Sequence, residues 1–241
     1  MILEALKEVT EFALIVGLLY LALGAFARRR GGELSSAIER HPLFILFLLA
    51  LAVTAIKVGR NVMAGESGSV DEAILRYVHE HVPRYLEGCF RAITFTGSSR
   101  FLFPLVIVAD AALLATRKRF EALLLGVSAA ASTLVIYSIK AAVGRARPSL
   151  WQTDGYWGWS FPSGHTLQTA TAASVLVICF ARIRPKTVRL IAPLAVVWVL
   201  LVALSRLVLG AHWPSDVLAA TCLGVIIPFI VLLILQRWRS R

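Results

Sequence analysis

Charged side chains are scarce in this sequence. Asp, Glu, Lys and Arg make up 16% of its 241 residues, against about a quarter in a soluble domain. With 58% hydrophobic residues and a mean hydropathy of +0.76, that shortage excludes an ordinary soluble protein and points to a membrane protein. Cysteine is scarce too. Cys89, Cys179 and Cys222 show neither CxxC nor metal-ligand spacing, so they read as small hydrophobes and imply no disulfide framework. Carboxylates are few and dispersed: Asp71, Asp110, Asp154 and Asp216 stand far apart, which argues against a two-metal centre built from clustered acids. No internal repeat, low-complexity tract or second domain is visible. The net charge of +11 raises the question of nucleic acid. The basic residues fall in short bursts between apolar runs, however, as membrane loops do, and a nucleic-acid partner is excluded on that pattern.

What the chain does have is apolar length. Seven stretches approach the roughly 20 mostly apolar residues that a bilayer-crossing helix needs: 10–27, 43–60, 101–116, 120–140, 165–181, 190–209 and 216–236. The fifth carries Thr166, Gln168, Thr169 and Thr171 near its start, so that end faces a protein interior or cavity rather than lipid. The first is not a signal peptide. Its leading stretch carries Glu4, Glu8 and Glu11 against a single Lys7, and Arg28-Arg29-Arg30 come after it, the reverse of a signal's polarity. Alternate connections hold the cations: Arg28, Arg29, Arg30 and Arg40; Arg117, Lys118 and Arg119; Arg182, Arg184, Lys186 and Arg189; Arg237, Arg239 and Arg241. These are more than half of the 25 Lys and Arg residues, and short basic loops stay cytoplasmic. The N-terminus is therefore placed outside and the C-terminus inside, with 61–100, 141–164 and 210–215 facing out. Within 61–100, Val70, Ala73, Ile74, Tyr77, Val78 and His81 recur at helical spacing, with Asp71, Glu72, Arg76 and Glu80 between them. This predicts an interfacial amphipathic helix that Pro83 ends or bends.

Three clusters carry chemistry, and the topology puts all of them on the outer side. In Lys140-Ala-Ala-Val-Gly-Arg145-Ala-Arg147-Pro148, a continuing helix would place Lys140 and Arg147 on one face as a phosphate clamp. The competing reading is a pair of snorkelling interfacial cations. Pro162-Ser163-Gly164-His165 stands just before an apolar helix, where a capping Ser, a close-approaching glycine N–H and a first-turn His suit an anion. A plain cap followed by an interfacial His is the alternative. In Ser205-Arg206 through His212 to Asp216, Asp216 is close enough to hold one imidazole nitrogen of His212 and leave the other free to attack. The alternative there is a structural Arg206–Asp216 tie between two helices. Together the clusters supply what phosphoryl transfer needs: cationic donors, a nucleophile and an acid for the leaving oxygen. Trp151, Tyr156, Trp157, Trp159 and Trp213 read as an interfacial aromatic belt.

The three clusters together resemble the tripartite signature of the type 2 phosphatidic acid phosphatase superfamily, the lipid phosphate phosphatases: K-x6-R-P, P-S-G-H and S-R-x5-H-x3-D. All three occur here in order, with matching spacing, and the likeness covers residues 101–236. It implies an all-α polytopic membrane helix bundle of about seven transmembrane helices, the family's six plus an N-terminal one. One domain would span 1–241, with the N-terminal helices and the outer-side amphipathic helix in 1–100 and the catalytic core in 101–236. By the same resemblance His212 is the nucleophile that forms a phosphohistidine, Asp216 orients it, and His165 is the general acid. Lys140, Arg147 and Arg206, with the Ser163 hydroxyl and the Gly164 N–H, hold the phosphate. Arg145 falls at a variable position and stays outside the catalytic set. No metal or other cofactor is implied. The implied substrates are lipid phosphates: undecaprenyl pyrophosphate, phosphatidylglycerophosphate, phosphatidic acid or a lipid A phosphate, met at the periplasmic face of a bacterial inner membrane. A lipid-to-lipid phosphotransferase would use the same motifs. A transporter or structural membrane protein explains the helices, but not three ordered motifs on one side.

Overall fold

The computed structural model describes residues 2–30, 38–151 and 156–239; Asp154 and Arg241 lie outside the described residues. Its long helices are α1 (Ile2–Arg30), α2 (Pro42–Met63), α3 (Gly68–His81), α4 (Glu87–Thr96), α5 (Ser99–Ala115), α6 (Arg119–Val143), α7 (Gly164–Ile183), α8 (Val188–Val208) and α9 (Pro214–Arg239). No strand occurs among the described residues. Each apolar stretch of the sequence falls within one of these helices, to within a residue at its ends. Six are long and apolar enough to cross a membrane, and α4 with α5 forms a pair bent by 41° that makes a seventh span if counted as one. The bend falls at Gly97-Ser98, where Ser98 is extended (φ −77°, ψ 152°) and interrupts the helical ladder.

The backbone divides into two compact units, residues 1–57 and 58–241. In the first, Lys57 Nζ reaches Glu8 Oε2 at 2.7 Å. In the second, α7 is central and packs against α6, α8 and α9. Leu124, Leu125, Leu167, Val175, Ile178 and Ile227 are buried together around it. Lipid removes most of the hydrophobic drive between helices, so association depends on close packing and small residues. Gly224 on α9 is such a residue: a Cβ there would lie 2.5 Å from the Leu167 carbonyl oxygen and 2.6 Å from Ala170 Cβ on α7.

Helix ends explain how the chain leaves the bundle. Gly144 caps α6 in the left-handed conformation (φ 60°), its N–H donating to the Lys140 carbonyl at 3.1 Å. This is the usual role of glycine after a last helical turn. The helix therefore stops before Arg147, and the expectation that helical spacing aligns Lys140 with Arg147 is not met. Pro214 opens α9, where its missing N–H costs nothing. The amphipathic helix α3 ends at His81, with the extended Val82 as its C-cap just before Pro83, as its sequence predicts. Its stripe of Val70, Ile74 and Tyr77 is exposed, 61%, 42% and 61% respectively, whereas Leu75 and Asp71 are buried. Asp71, expected on the polar face, instead points inward and pairs with Arg145.

Candidate active site

The motif residues gather at one end of the second unit. Lys140 comes from the last turn of α6 and Arg147 from the connection that follows. Ser163, Gly164 and His165 start α7, Arg206 stands near the end of α8, and His212 and Asp216 flank the start of α9. The Ser163 N–H donates to the Asp216 carbonyl at 3.2 Å, tying the starts of α7 and α9 together.

His212 lies at the centre and is almost wholly buried. Its Nδ1 is 3.3 Å from Asp216 Oδ2 and its Nε2 is 3.2 Å from Arg147 Nη1. A guanidinium has donors only. Nε2 therefore presents its lone pair, and Nδ1 carries the proton directed at the carboxylate. The same Asp216 oxygen accepts the Trp213 N–H at 3.0 Å, the return contact of a capping box at the start of α9. Local helix capping and ring orientation are thus one contact set. Burial, then the positive fields of Arg206, Arg147 and Lys140, holds the His212 imidazole well below its ordinary value of 6.5. The lone pair stays free at neutral pH.

The cations are brought together by the connection before α7 rather than by helical periodicity. Arg147 donates to the carbonyls of Gly158 (3.0 Å), Trp157 (3.0 Å) and Ala211 (2.7 Å). Lys140 Nζ donates to the Trp159 carbonyl. Arg206 is 2% exposed. Its Nη1 donates to Thr94 Oγ1 at 2.7 Å, the Tyr156 ring lies 5.1 Å from its guanidinium carbon, and its Nε has no hydrogen-bond partner. A buried charged donor left unmatched is destabilising unless an anion completes it. The structural Arg206–Asp216 tie does not form; the Asp216 carboxylate pairs with Arg145 instead, at 2.7 Å. Ser163 occupies the N-cap position of α7, but its hydroxyl meets Thr166 Oγ1 at 3.0 Å and makes no side-chain cap bond. His165 and Arg206 line a cavity of about 530 Å³ with Thr94, Tyr156, Arg91 and Arg100.

Four residues around the site were absent from the sequence-derived set: Arg145, Thr94, Tyr156 and Asp71, whose Oδ2 accepts from Arg145 Nη2 at 2.6 Å. Arg145 was legible in principle as a third cation beside two motif cations in a charge-poor chain. Asp71 was legible only as an acid in an otherwise amphipathic repeat. Thr94 carries no sequence signal at all.

An α-helical membrane protein that aims an imidazole lone pair into a cluster of cations, beside a second imidazole, is organised as a membrane phosphatase. The sequence profile of the PAP2 superfamily matches residues 121–240. Phosphatidylglycerophosphatase B of Bacillus subtilis is 29% identical over 192 residues, 78% of this chain and 91% of that protein. Decaprenylphosphoryl-5-phosphoribose phosphatase of Mycobacterium tuberculosis is 34% identical over 131 residues, 53% of this chain and 68% of that protein. The crystal structure of a transmembrane PAP2 type phosphatidylglycerolphosphate phosphatase from B. subtilis superposes with a TM-score of 0.73 at 26% identity, covering 79% of this chain and 96% of that one. The chain belongs to the PAP2 superfamily, as a polytopic membrane member and a phosphoric ester hydrolase.

Proposed function

We propose that the protein removes phosphate from a lipid phosphate ester through a phosphohistidine on His212, at the periplasmic face of a bacterial inner membrane. The observation that carries this reading is the line from Asp216 Oδ2 through the His212 ring to Arg147 Nη1, 3.3 Å and 3.2 Å at its two ends. His212 Nε2 attacks phosphorus and the bond to the lipid oxygen breaks. His165 delivers the proton that the leaving oxygen takes up. Water then attacks the phosphohistidine, gives a proton to His165, and releases phosphate with His212 restored. Lys140, Arg147 and Arg206 hold the phosphoryl oxygens, helped by the Ser163 hydroxyl and the Gly164 N–H at the start of α7.

A lipid substrate is supported by the surroundings of the site. Ser99 and Arg100 line both the His165 cavity and an apolar groove of about 940 Å³ that includes Leu102, Phe103, Leu125 and Leu134. That groove suits an acyl or prenyl tail while the headgroup meets the cations. The named relatives act on phosphatidylglycerophosphate and on a decaprenyl-linked phosphoribose, which places phosphatidylglycerophosphate first among substrates to test. The periplasmic orientation rests on the cations at the opposite helix ends.

The test is phosphate release by purified protein from micellar phosphatidylglycerophosphate, phosphatidic acid, undecaprenyl pyrophosphate and lipid A. His212→Ala is expected to form no phosphoenzyme on any of them. His165→Ala is expected to lose about 10²–10⁴-fold on a lipid monoester, whose alkoxide needs the proton, and far less on nitrophenyl phosphate. Release only after a second lipid is added would make the protein a phosphotransferase. A phosphoenzyme formed by His212→Ala but not by His165→Ala would reverse the two roles.

A further inference from the structure

Arg145 occupies a place in the site that its variable motif position does not announce. Its Nη1 donates to Asp216 Oδ1 at 2.7 Å and to Ser215 Oγ at 2.7 Å. Its Nη2 donates to Asp71 Oδ2 at 2.6 Å and to Ser67 Oγ at 3.2 Å. Asp71 in turn accepts the Ser215 N–H at 2.8 Å on Oδ1 and the Ser215 hydroxyl at 2.5 Å on Oδ2. The three charged side chains are 15%, 3% and 0% exposed for Arg145, Asp71 and Asp216. The Trp213 ring covers the guanidinium at 5.4 Å. Every oxygen of both carboxylates is thus engaged, and a single guanidinium bridges them.

The consequence concerns Asp216. Its Oδ2 serves the Trp213 N–H and His212 Nδ1, so the carboxylate plane is set only if Oδ1 is also held. Arg145 holds it, and Asp71 from α3 holds Arg145. We infer that Arg145 and Asp71 are positioning residues for the His212–Asp216 pair: they lock the carboxylate that orients the nucleophile and make the amphipathic helix α3 part of the catalytic framework. Neither residue hydrogen-bonds His212, Lys140, Arg147 or Arg206 among the described contacts. Their effect should therefore fall on turnover rather than on phosphate binding. The inference rests on the reading of His212 as nucleophile and Asp216 as its orienting partner.

Charge provides a readout that a purely structural bridge would not move. The charged and titratable groups facing His212 are Asp216 on α9, Arg206 on α8, His165 on α7, Lys140 on α6 and Arg147 on the connection. With Arg145 removed, the Asp216 charge is no longer shared. It then favours the His212 imidazolium, and the acid limb of kcat/KM moves to higher pH.

The experiment uses the full-length enzyme in detergent micelles, with phosphatidylglycerophosphate and nitrophenyl phosphate as substrates and vanadate as a phosphate-site probe. Arg145→Gln is expected to lower kcat by about 10²-fold, the scale of a small misplacement of a reacting group. KM and vanadate inhibition should stay near wild type while the acid limb shifts upward. Arg145→Lys should recover part of kcat, because an ammonium can hold Asp216 Oδ1 but not bridge both acids. Asp71→Asn should fall in the same direction and add little in the Arg145→Gln background, as residues acting through one chain do. If Arg145→Gln does not fold, Arg145→Lys and Asp71→Asn carry the same comparison. Wild-type kcat and acid limb in these variants, with His212→Ala inactive, would overturn the positioning role and leave the nucleophile reading intact. Phosphoenzyme formation by His212→Ala would overturn both.

Discussion

Substituting Gly224 by Ala tests whether the catalytic geometry depends on how closely α7 and α9 approach. The added Cβ would stand 2.5 Å from the Leu167 carbonyl oxygen, 2.6 Å from Ala170 Cβ and 3.2 Å from the Thr171 nitrogen, and two of these three atoms are backbone. No side-chain rotation relieves a clash with a neighbouring helix backbone, so the helices must separate by roughly 1 Å to restore ordinary contact. Overpacking of this kind destabilises by about 1–3 kcal/mol. The larger effect should be catalytic. Asp216 lies about two turns from Gly224 on α9, and His165 lies just before Leu167 on α7, so the displacement separates the two sides of the site. A misplacement of about 1 Å is enough to reduce turnover by about 10²-fold. The assay pairs thermal unfolding in detergent, followed by tryptophan fluorescence, with kcat for phosphate release. Gly88→Ala is the control, because a Cβ there meets nothing within 4 Å. A Gly224→Ala enzyme with the melting temperature and kcat of wild type would refute the argument that this close approach aligns the site.

Other outcomes follow from the same structure. His212 is held neutral by burial and by Arg206, Arg147 and Lys140, so the acid limb of kcat/KM should fall below the ordinary histidine value of 6.5, once corrected for the phosphate's own ionisation; a limb at or above that value contradicts the assignment. Side-chain cations hold the phosphate in this proposal, so activity should survive strong chelators, and vanadate should inhibit by adopting the five-coordinate transition-state geometry; loss in chelator with recovery on adding a divalent ion would count against it. In an enzyme whose three cysteines are replaced by Ala, Ser69→Cys should react with an impermeant thiol reagent on intact cells and Lys186→Cys should not, and the opposite pattern would invert the orientation.

The helical framework was legible because lipid imposes a simple rule on sequence: each crossing needs a long apolar run, and each apolar run here lies in a helix. What sequence did not reveal was the shape of the 61–100 connection beyond its first helix. α4 has ten residues, includes Gly88 and Arg91, and is too short to register as a span. Yet it delivers Thr94 to Arg206 and Thr96 to the Trp198 Nε1 at 2.9 Å. Elements that work by presenting one hydroxyl leave little trace in periodicity. The proximity of Lys140 and Arg147 was foreseen for the wrong reason. Gly144 ends the helix between them, and carbonyls of residues 157–159 then collect both side chains. That arrangement depends on tertiary closure of a connection, and no local spacing encodes it.

The charges at the site were legible as an inventory, because an ionised group near apolar helices is expensive and each one calls for a function or a partner. The partnership is what sequence left open, and it decides the chemistry. Pairing Arg206 with Asp216 would have neutralised both, anchored two helices and left no carboxylate for His212. The structure pairs Asp216 with Arg145 instead and commits Asp71 to the far side of the same guanidinium. Among the described residues Lys140, Arg147 and Arg206 are then without a carboxylate partner; their donors go to carbonyls, to Thr94 and, at Arg206 Nε, to nothing. Three neighbouring cations with no carboxylate of their own are a standing electrostatic demand for an anion. A phosphoryl group, with charge on several oxygens at once, matches that demand better than a carboxylate does. In the proposed mechanism, sequestering the acids behind Arg145 serves two ends together: it orients His212 through Asp216 and keeps the surroundings of Arg147, Lys140 and Arg206 positive.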